Sequence, residues 1–388
     1  MQRRHFLFTS LAAAAAAATA AAPQRKVLIC LIDGFGPDYI ERSDMPTFRK
    51  LMKEGVFKMG KGLMPSLTNV NNASFATGTY PSKHGITSNT YLDRRTGKVM
   101  EMSSPSLLNA PTVFHHARKR GQKTALVAAK HKIYTLLGAD AGRAFSAEKP
   151  SPEAIALGGA APNMYSPESN YWTFRVGRAL LRSPDVDLLY LTTTDYMMHT
   201  YAADEAPSLE HLHNLDKRLA EILGDHPNLE LYLTADHGMN AKTQAIDPIR
   251  VLAAKRIDSI GIPAISDRHK AHHKDLGGSM YIDLKDPDQI RQAMDALLIE
   301  PGIEAVYDRK QAAKLFHLDS GRIGDLFVIA DKQSALGLLP ETRQAVKVRT
   351  HGSLHEVDVP LLVWGRKIDP AKLQTSIDLS KDRLWETE

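Results

Sequence analysis

Residues 26–32 carry an unbroken apolar run, Val27-Leu28-Ile29-Cys30-Leu31-Ile32. A strand covered on both faces has this pattern. Residues 123–129, 186–192 and 229–234 read the same way. Segments with helical spacing separate them, at 45–54, 112–120 and 171–181, and another helix is expected to begin at 73–77. Over 208–223, Leu209, Leu212, Leu215, Leu219, Ile222 and Leu223 share one helical face, and Gly224 is expected to stop the helix. Strand and helix alternate, which predicts an α/β fold with a mostly parallel sheet and helices on both faces. The stretch 258–316 reads as strand 279–284, helix 287–298, strand 303–307 and helix 309–316. It is expected to be a small α+β cap inserted in a core of 23–257 and 317–388. The core is expected to resume with strands at 325–330 and 359–363.

Composition narrows the classes. The chain has 388 residues, 43% hydrophobic and 24% charged. Those values exclude a disordered chain and a multi-span membrane protein. The single cysteine, Cys30, excludes an intrachain disulfide and a cysteine metal cluster, and its apolar run predicts a buried thiol. Residues 1–22 read as a leader: Arg3-Arg4-His5-Phe6-Leu7 meets an alanine-rich stretch ending in small residues. It resembles a bacterial twin-arginine export signal, which predicts a periplasmic or secreted protein, with no stable membrane association after cleavage. An uncleaved anchor is the other reading. Without its two arginines the charge falls from +5 to +3. No basic stripe points to nucleic acid.

The chemistry lies just past the predicted strands. Asp33, Asp195 and Asp236 each follow one. Ligands of open parallel sheets bind beyond the strands' carboxyl ends. Three carboxylates meeting there repel one another, so a cation is expected. Histidines accompany them: His199 lies one helical turn after Asp195, His237 adjoins Asp236, and His351 precedes the last strand. Mixed Asp/His ligation suits two divalent metals, zinc first, with iron or manganese also suited. The nucleophile candidate is Thr68, at the head of a helix, with Ser66 as competitor; a helix cap is the ordinary role for such a threonine. Lys130 and Lys132 stand one residue apart at a strand end and can point into the same crevice, or be solvated. His269, His272 and His273, interleaved with lysines, read as a solvated loop at the cap junction, one of whose histidines could line the substrate entrance.

Together these segments resemble a family. Asp33-Gly34-Phe35-Gly36, the Thr68 segment, Thr77-Gly78-Thr79-Tyr80-Pro81, Asp195 with His199, Asp236-His237-Gly238-Met239-Asn240 and Thr350-His351-Gly352-Ser353 look like the alkaline phosphatase superfamily. They are most similar to its nucleotide pyrophosphatase/phosphodiesterase-like branch. The resemblance runs from about Val27 to Gly365 and implies an alkaline-phosphatase-like fold. It implies that Asp33, Thr68, Asp236 and His237 hold one metal. Asp195, His199 and His351 would hold the other, with His355 as the alternative last ligand. Asn89, 21 residues after Thr68, matches a phosphate-binding asparagine. Within the branch, the lysine pair looks like that of the phosphonoacetate hydrolases, where it holds the substrate carboxylate.

The resemblance therefore implies a two-metal hydrolase that cleaves the C–P bond of phosphonoacetate through a phosphothreonine on Thr68. The substrate would be a small anionic phosphonate or phosphate ester. The alternatives are an exported phosphodiesterase, nucleotide pyrophosphatase or phosphomonoesterase on the same site, and, more remotely, a non-catalytic metal-binding protein. A homodimer stays open.

Overall fold

A computed structural model describes residues 25–266, 270–380 and 384. The leader segment 1–22 and His269 lie outside the described residues.

The core is a seven-stranded sheet in the order Val56–Lys61, Asp358–Trp364, Glu230–Thr234, Val27–Leu31, Leu188–Thr192, Thr124–Ala128 and Arg143–Ser146. Val27–Leu31 pairs in parallel with the strands on both sides of it, as does Thr124–Ala128. Asp358–Trp364 runs antiparallel to both of its neighbours. The four central parallel strands are buried at every position. Their apolar runs leave no face for water, so helices cover both. Cys30 is buried there, and burial pushes its thiol up to about 12.

The helix spanning Ala206–Asp225 passes through Gly224 and is capped by His226, so glycine does not stop it. The helix expected to begin at 73–77 begins earlier and spans Thr68–Thr77. Its polar residues hid it from periodicity. Asn71 bonds the backbone of Leu63 in both directions, and Asn72 takes the Tyr190 hydroxyl at 3.2 Å. Polar residues satisfied in this way can be buried all round.

A second sheet is antiparallel, in the order Ser259–Pro263, Ser279–Leu284, Leu326–Ala330 and Ile303–Asp308. One expectation fails here. The strand at 325–330 does not resume the core sheet; it is an inner strand of the second sheet. Leu326, Val328 and Ala330 pack in a cluster with Ala293 and Leu297, whereas Phe327 and Ile329 pack with Ala312. Both faces are apolar because helices Ile290–Leu298 and Arg309–Leu315 cover opposite sides. A run of that kind is indistinguishable from a core strand by pattern alone. Three further strands, Ser334–Leu336, Asn240–Ile246 and Arg343–Thr350, form a small sheet that leads into the His351 turn.

Candidate active site

The three acidic residues lie past three adjacent strands of the core sheet, those ending at Leu31, Thr192 and Thr234. Parallel register brings Leu31, Thr192 and Thr234 level, so the acids that follow converge. The Thr193 hydroxyl accepts the Asp33 amide at 2.8 Å. Gly34 turns at φ +75, where a Cβ would stand 3.1 Å from the Asp195 Cβ. Only glycine suits both that turn and that approach. Its amide meets Asp236 Oδ1 at 3.2 Å.

The carboxylates are buried, and both oxygens of Asp33 and of Asp195, with Oδ2 of Asp236, have no hydrogen-bond partner besides the groups of their ion pairs. The Lys130 ammonium stands between two of them, 2.7 Å from Asp33 and 2.6 Å from Asp195. Burial pushes Asp33 well above the ordinary carboxylate range, and the charges of Asp195 and Asp236 push the same way. Burial and Asp195 likewise raise Asp236, to about 6. Burial acts upward on Asp195 too, yet the Lys130 ammonium at 2.6 Å holds it well below its ordinary value. Burial lowers Lys130, but the three carboxylates outweigh it and keep the ammonium charged.

The three histidines present one ring nitrogen each to the acids. Nδ1 of His237 faces the Gly238 carbonyl at 3.0 Å, Nδ1 of His351 the Ser66 carbonyl at 2.8 Å, and Nδ1 of His199 the Arg349 carbonyl at 2.6 Å. A carbonyl can only accept, so each Nδ1 is the protonated nitrogen and each Nε2 keeps its lone pair. Those Nε2 atoms point at the acids: His199 to Asp195 at 3.0 Å, His237 to Asp33 at 3.4 Å, and His351 to Asp195 at 3.5 Å. Burial lowers the pKa of His237 and of His351, which keeps both neutral. Their rings stack with centroids 3.4 Å apart.

Two groups could each hold a cation: Asp33 with Asp236 and His237, and Asp195 with His237 and His351, each bringing its ligand atoms within 4.8 Å of one another. Orphaned carboxylate oxygens facing neutral Nε2 atoms fit a divalent metal in both. His355 is elsewhere, its ring against Glu304.

Thr68 is the first residue of its helix, and its hydroxyl lies 3.4 Å from His237 Nε2 and 3.5 Å from Lys130 Nζ. Ser66 is tied away from the acids, donating to the Ser353 carbonyl at 2.7 Å and accepting from the Gly352 amide at 3.1 Å. Thr68, Asn89, Lys130 and Lys132 line one cleft of about 350 Å³ with His199 and His351. Asn89 Oδ1 takes the Asn69 amide at 2.9 Å, which leaves the NH2 end for the cleft. Lys130 is turned more to the acids than the sequence predicts, because unneutralised carboxylates attract the nearest cation.

Several cleft residues escaped the sequence. His272 and His273 are buried and line the cleft with Met164 and Ile265, while Lys274 beside them is exposed. The solvated-loop expectation fails for this pair, which lines the cleft instead. The short helix Lys270–His273 aims both rings inward, 6.1 and 6.2 Å from the ring of His199.

A mostly parallel sheet carrying two candidate metal groups around a buried hydroxyl is the build of a phosphoryl-transfer hydrolase. Comparison with known proteins agrees. The family described as type I phosphodiesterase / nucleotide pyrophosphatase matches residues 27–354. The chain belongs to that family of hydrolytic enzymes, within the alkaline phosphatase superfamily. It is similar to phosphonoacetate hydrolase from Sinorhizobium meliloti 1021, solved with phosphonoformate and with phosphonoacetate. The TM-score is 0.83 and the identity 30%, over 92% of this chain and 94% of that one. Murine ectonucleotide pyrophosphatase / phosphodiesterase 5 shares the fold, at TM-score 0.66 and 19% identity over 92% of this chain and 93% of that one. A venom phosphodiesterase of Naja atra is 25% identical over 241 residues, 56% of this chain and 26% of that protein. The chain thus spans about a quarter of the length of the curated relatives it matches. Among the described residues no helix is long and apolar enough to cross a membrane.

Proposed function

We propose that the chain hydrolyses phosphonoacetate to acetate and phosphate through a phosphothreonine on Thr68. The observation that carries this reading is the placement of two buried lysines, Lys130 and Lys132, in the same cleft as Thr68 and Asn89. A phosphonate with a carboxylate one carbon away needs cations at both ends. The likeness to the Sinorhizobium enzyme supports the same substrate.

Asp33, Thr68, Asp236 and His237 would hold one divalent metal and Asp195, His199 and His351 the other. Bound there, zinc, or iron or manganese, would supply Lewis acidity that lowers the pKa of the Thr68 hydroxyl and of water. Thr68 Oγ1 attacks phosphorus in line with the C–P bond. The Asn89 NH2 donates to an equatorial oxygen as charge grows there. Lys130 and Lys132 would meet the substrate carboxylate, Lys130 doing so where metal bound by the acids takes over their charge. That carboxylate then accepts the electron pair of the breaking bond. The departing carbon takes a proton, balancing the one lost by Thr68, and leaves as acetate. Water then cleaves the phosphothreonine, freeing phosphate and restoring the hydroxyl. The Arg3-Arg4 leader supports export of the folded protein to the periplasm by the twin-arginine route.

A second reading is a phosphodiesterase, pyrophosphatase or phosphomonoesterase on the same site, favoured by the family match and the venom relatives. Phosphate release from phosphonoacetate, measured beside p-nitrophenyl phosphate and bis(p-nitrophenyl) phosphate, separates the two. Phosphonoacetate should be the preferred substrate. Strong diester turnover with none on phosphonoacetate would move the protein to the second reading.

A further inference from the structure

We propose that Glu356, paired with Lys242, is a positioning residue that holds His237 and His351 in their ligand geometry. This rests on the two-metal reading above and extends it to residues that line no part of the cleft. Both side chains are fully buried, with Lys242 Nζ 2.8 Å from Glu356 Oε1. Lys242 also donates to the Lys332 carbonyl at 3.1 Å. Such a pair is poor evidence of stability, since desolvation costs offset the attraction. Its connections give it another purpose.

Two chains of hydrogen bonds leave Glu356. Its Oε2 accepts the Ser353 amide at 3.0 Å and the Ser353 hydroxyl at 2.6 Å. The Ser353 carbonyl accepts the Ser66 hydroxyl, and the Ser66 carbonyl accepts His351 Nδ1. Ser66 stands two residues before Thr68, so this chain also fixes the approach to the nucleophile. The second chain starts at the Glu356 carbonyl, which accepts the Gly238 amide at 2.7 Å. The Gly238 carbonyl in turn takes His237 Nδ1. Asn240 Nδ2 closes the network, reaching Glu356 Oε1 at 2.8 Å and the His355 carbonyl at 2.9 Å. One residue thereby sets the partners of two imidazoles whose rings stack against each other, His351 through its carboxylate and His237 through its backbone carbonyl, which the carboxylate's bonds to Lys242, Ser353 and Asn240 hold in place. A change at Glu356 shifts the carbonyls that orient both Nε2 lone pairs, and outer partners of this kind govern metal affinity.

The test is zinc affinity of the metal-free full chain by chelator competition, with thermal melting of the same samples. Glu356→Gln keeps the size and removes the charge. It should weaken zinc binding by about 10- to 100-fold while the metal-free variant still melts cooperatively. A folded Glu356→Gln that binds two zinc ions with wild-type affinity overturns the proposal. So does a variant that only melts lower with affinity unchanged, which is what a structural role alone predicts. Should Glu356→Gln not fold, Ser353→Ala takes its place, because it removes one hydroxyl and leaves the ion pair intact. It should weaken binding by about 3- to 10-fold, and unchanged affinity there also overturns the proposal. A wild-type chain that binds no divalent metal instead sinks the two-metal reading, a result the same titration distinguishes.

Discussion

Asp33 and Glu356 are both buried acidic residues tied to His237, Asp33 directly and Glu356 through Gly238, and they are treated in opposite ways. Burial pushes Glu356 upward, but Lys242 and hydrogen bonds from Lys242, Ser353 and Asn240 outweigh it and hold it below its ordinary value. Asp33 has two like charges beside it and a single ammonium, that of Lys130, which it shares with Asp195, and it is pushed well up. The protein answers the charge of Glu356 from its own chain. Around Asp33 one ammonium faces three carboxylates, so the chain answers only part of their charge. A buried carboxylate marks a binding site when its neighbours fail to neutralise it, and a support when they succeed.

The two hydroxyls near these carboxylates give the largest contrast. Thr68 stands over the unanswered acids and Ser66 belongs to the satisfied network. Thr68→Ala should lower turnover by at least about 10⁴-fold, as removal of a nucleophile does, with two metals still bound. Ser66→Ala should cost less than about 10-fold. Steady-state rates with metal analysis check both, and a Ser66→Ala loss as large as that of Thr68→Ala would break the contrast.

The next largest effect is on stability and pH. Asp236 is raised from its ordinary 3.8 to about 6 in the metal-free fold. A raised carboxylate weakens the fold as pH climbs through its folded value, so acidification relieves it. The Asp236 contribution by itself, read as chelated wild type against chelated Asp236→Asn, should rise by on the order of 1 kcal/mol between pH 7 and pH 5, while the buried neutral imidazoles of His237 and His351 act in the opposite direction in both proteins. Metal-loaded protein should lose stability over the same window, because protons compete with metal for the ligands. Glu356, shifted downward, contributes above its unfolded value and is lost only at lower pH, so it is silent in this window. Melting curves of wild type and Asp236→Asn at the two pH values should therefore converge on acidification in chelated protein and not in metal-loaded protein. Parallel trends would mean that the acids are already neutralised from within.

The smallest effect expected is at the substrate end. Lys132→Ala should raise KM for phosphonoacetate by about 10-fold and leave p-nitrophenyl phosphate within about 3-fold. Equal effects on both substrates would deny the lysine its carboxylate.

Much of the site was legible because its residues sit at strand ends. Apolar runs located the strands that precede Asp33, Asp195 and Asp236, and residue type did the rest. The i, i+4 spacing of Asp195 and His199 was legible for the same reason, since the short helix Tyr196–Thr200 closes with the His199 amide on the Asp195 carbonyl at 2.9 Å. Less legible was the helix Thr68–Thr77, whose buried asparagines show no apolar stripe. His272 and His273 were read as solvated because lysines flank them, yet the backbone turns the lysine that follows outward and the rings inward. The strand Leu326–Ala330 was recognised as a strand and assigned to the wrong sheet.

The sequence alone determined which acidic and histidine side chains follow the strands, the strands themselves and the parallel character of the core, since these follow from periodicity and short-range spacing. Tertiary structure alone decided which carboxylates are answered from within. Lys242 and Glu356 are 114 residues apart, and Lys130 and Asp33 are far apart too. Nothing local records either pairing. Charge is neutralised through space, and only the folded chain sets those distances.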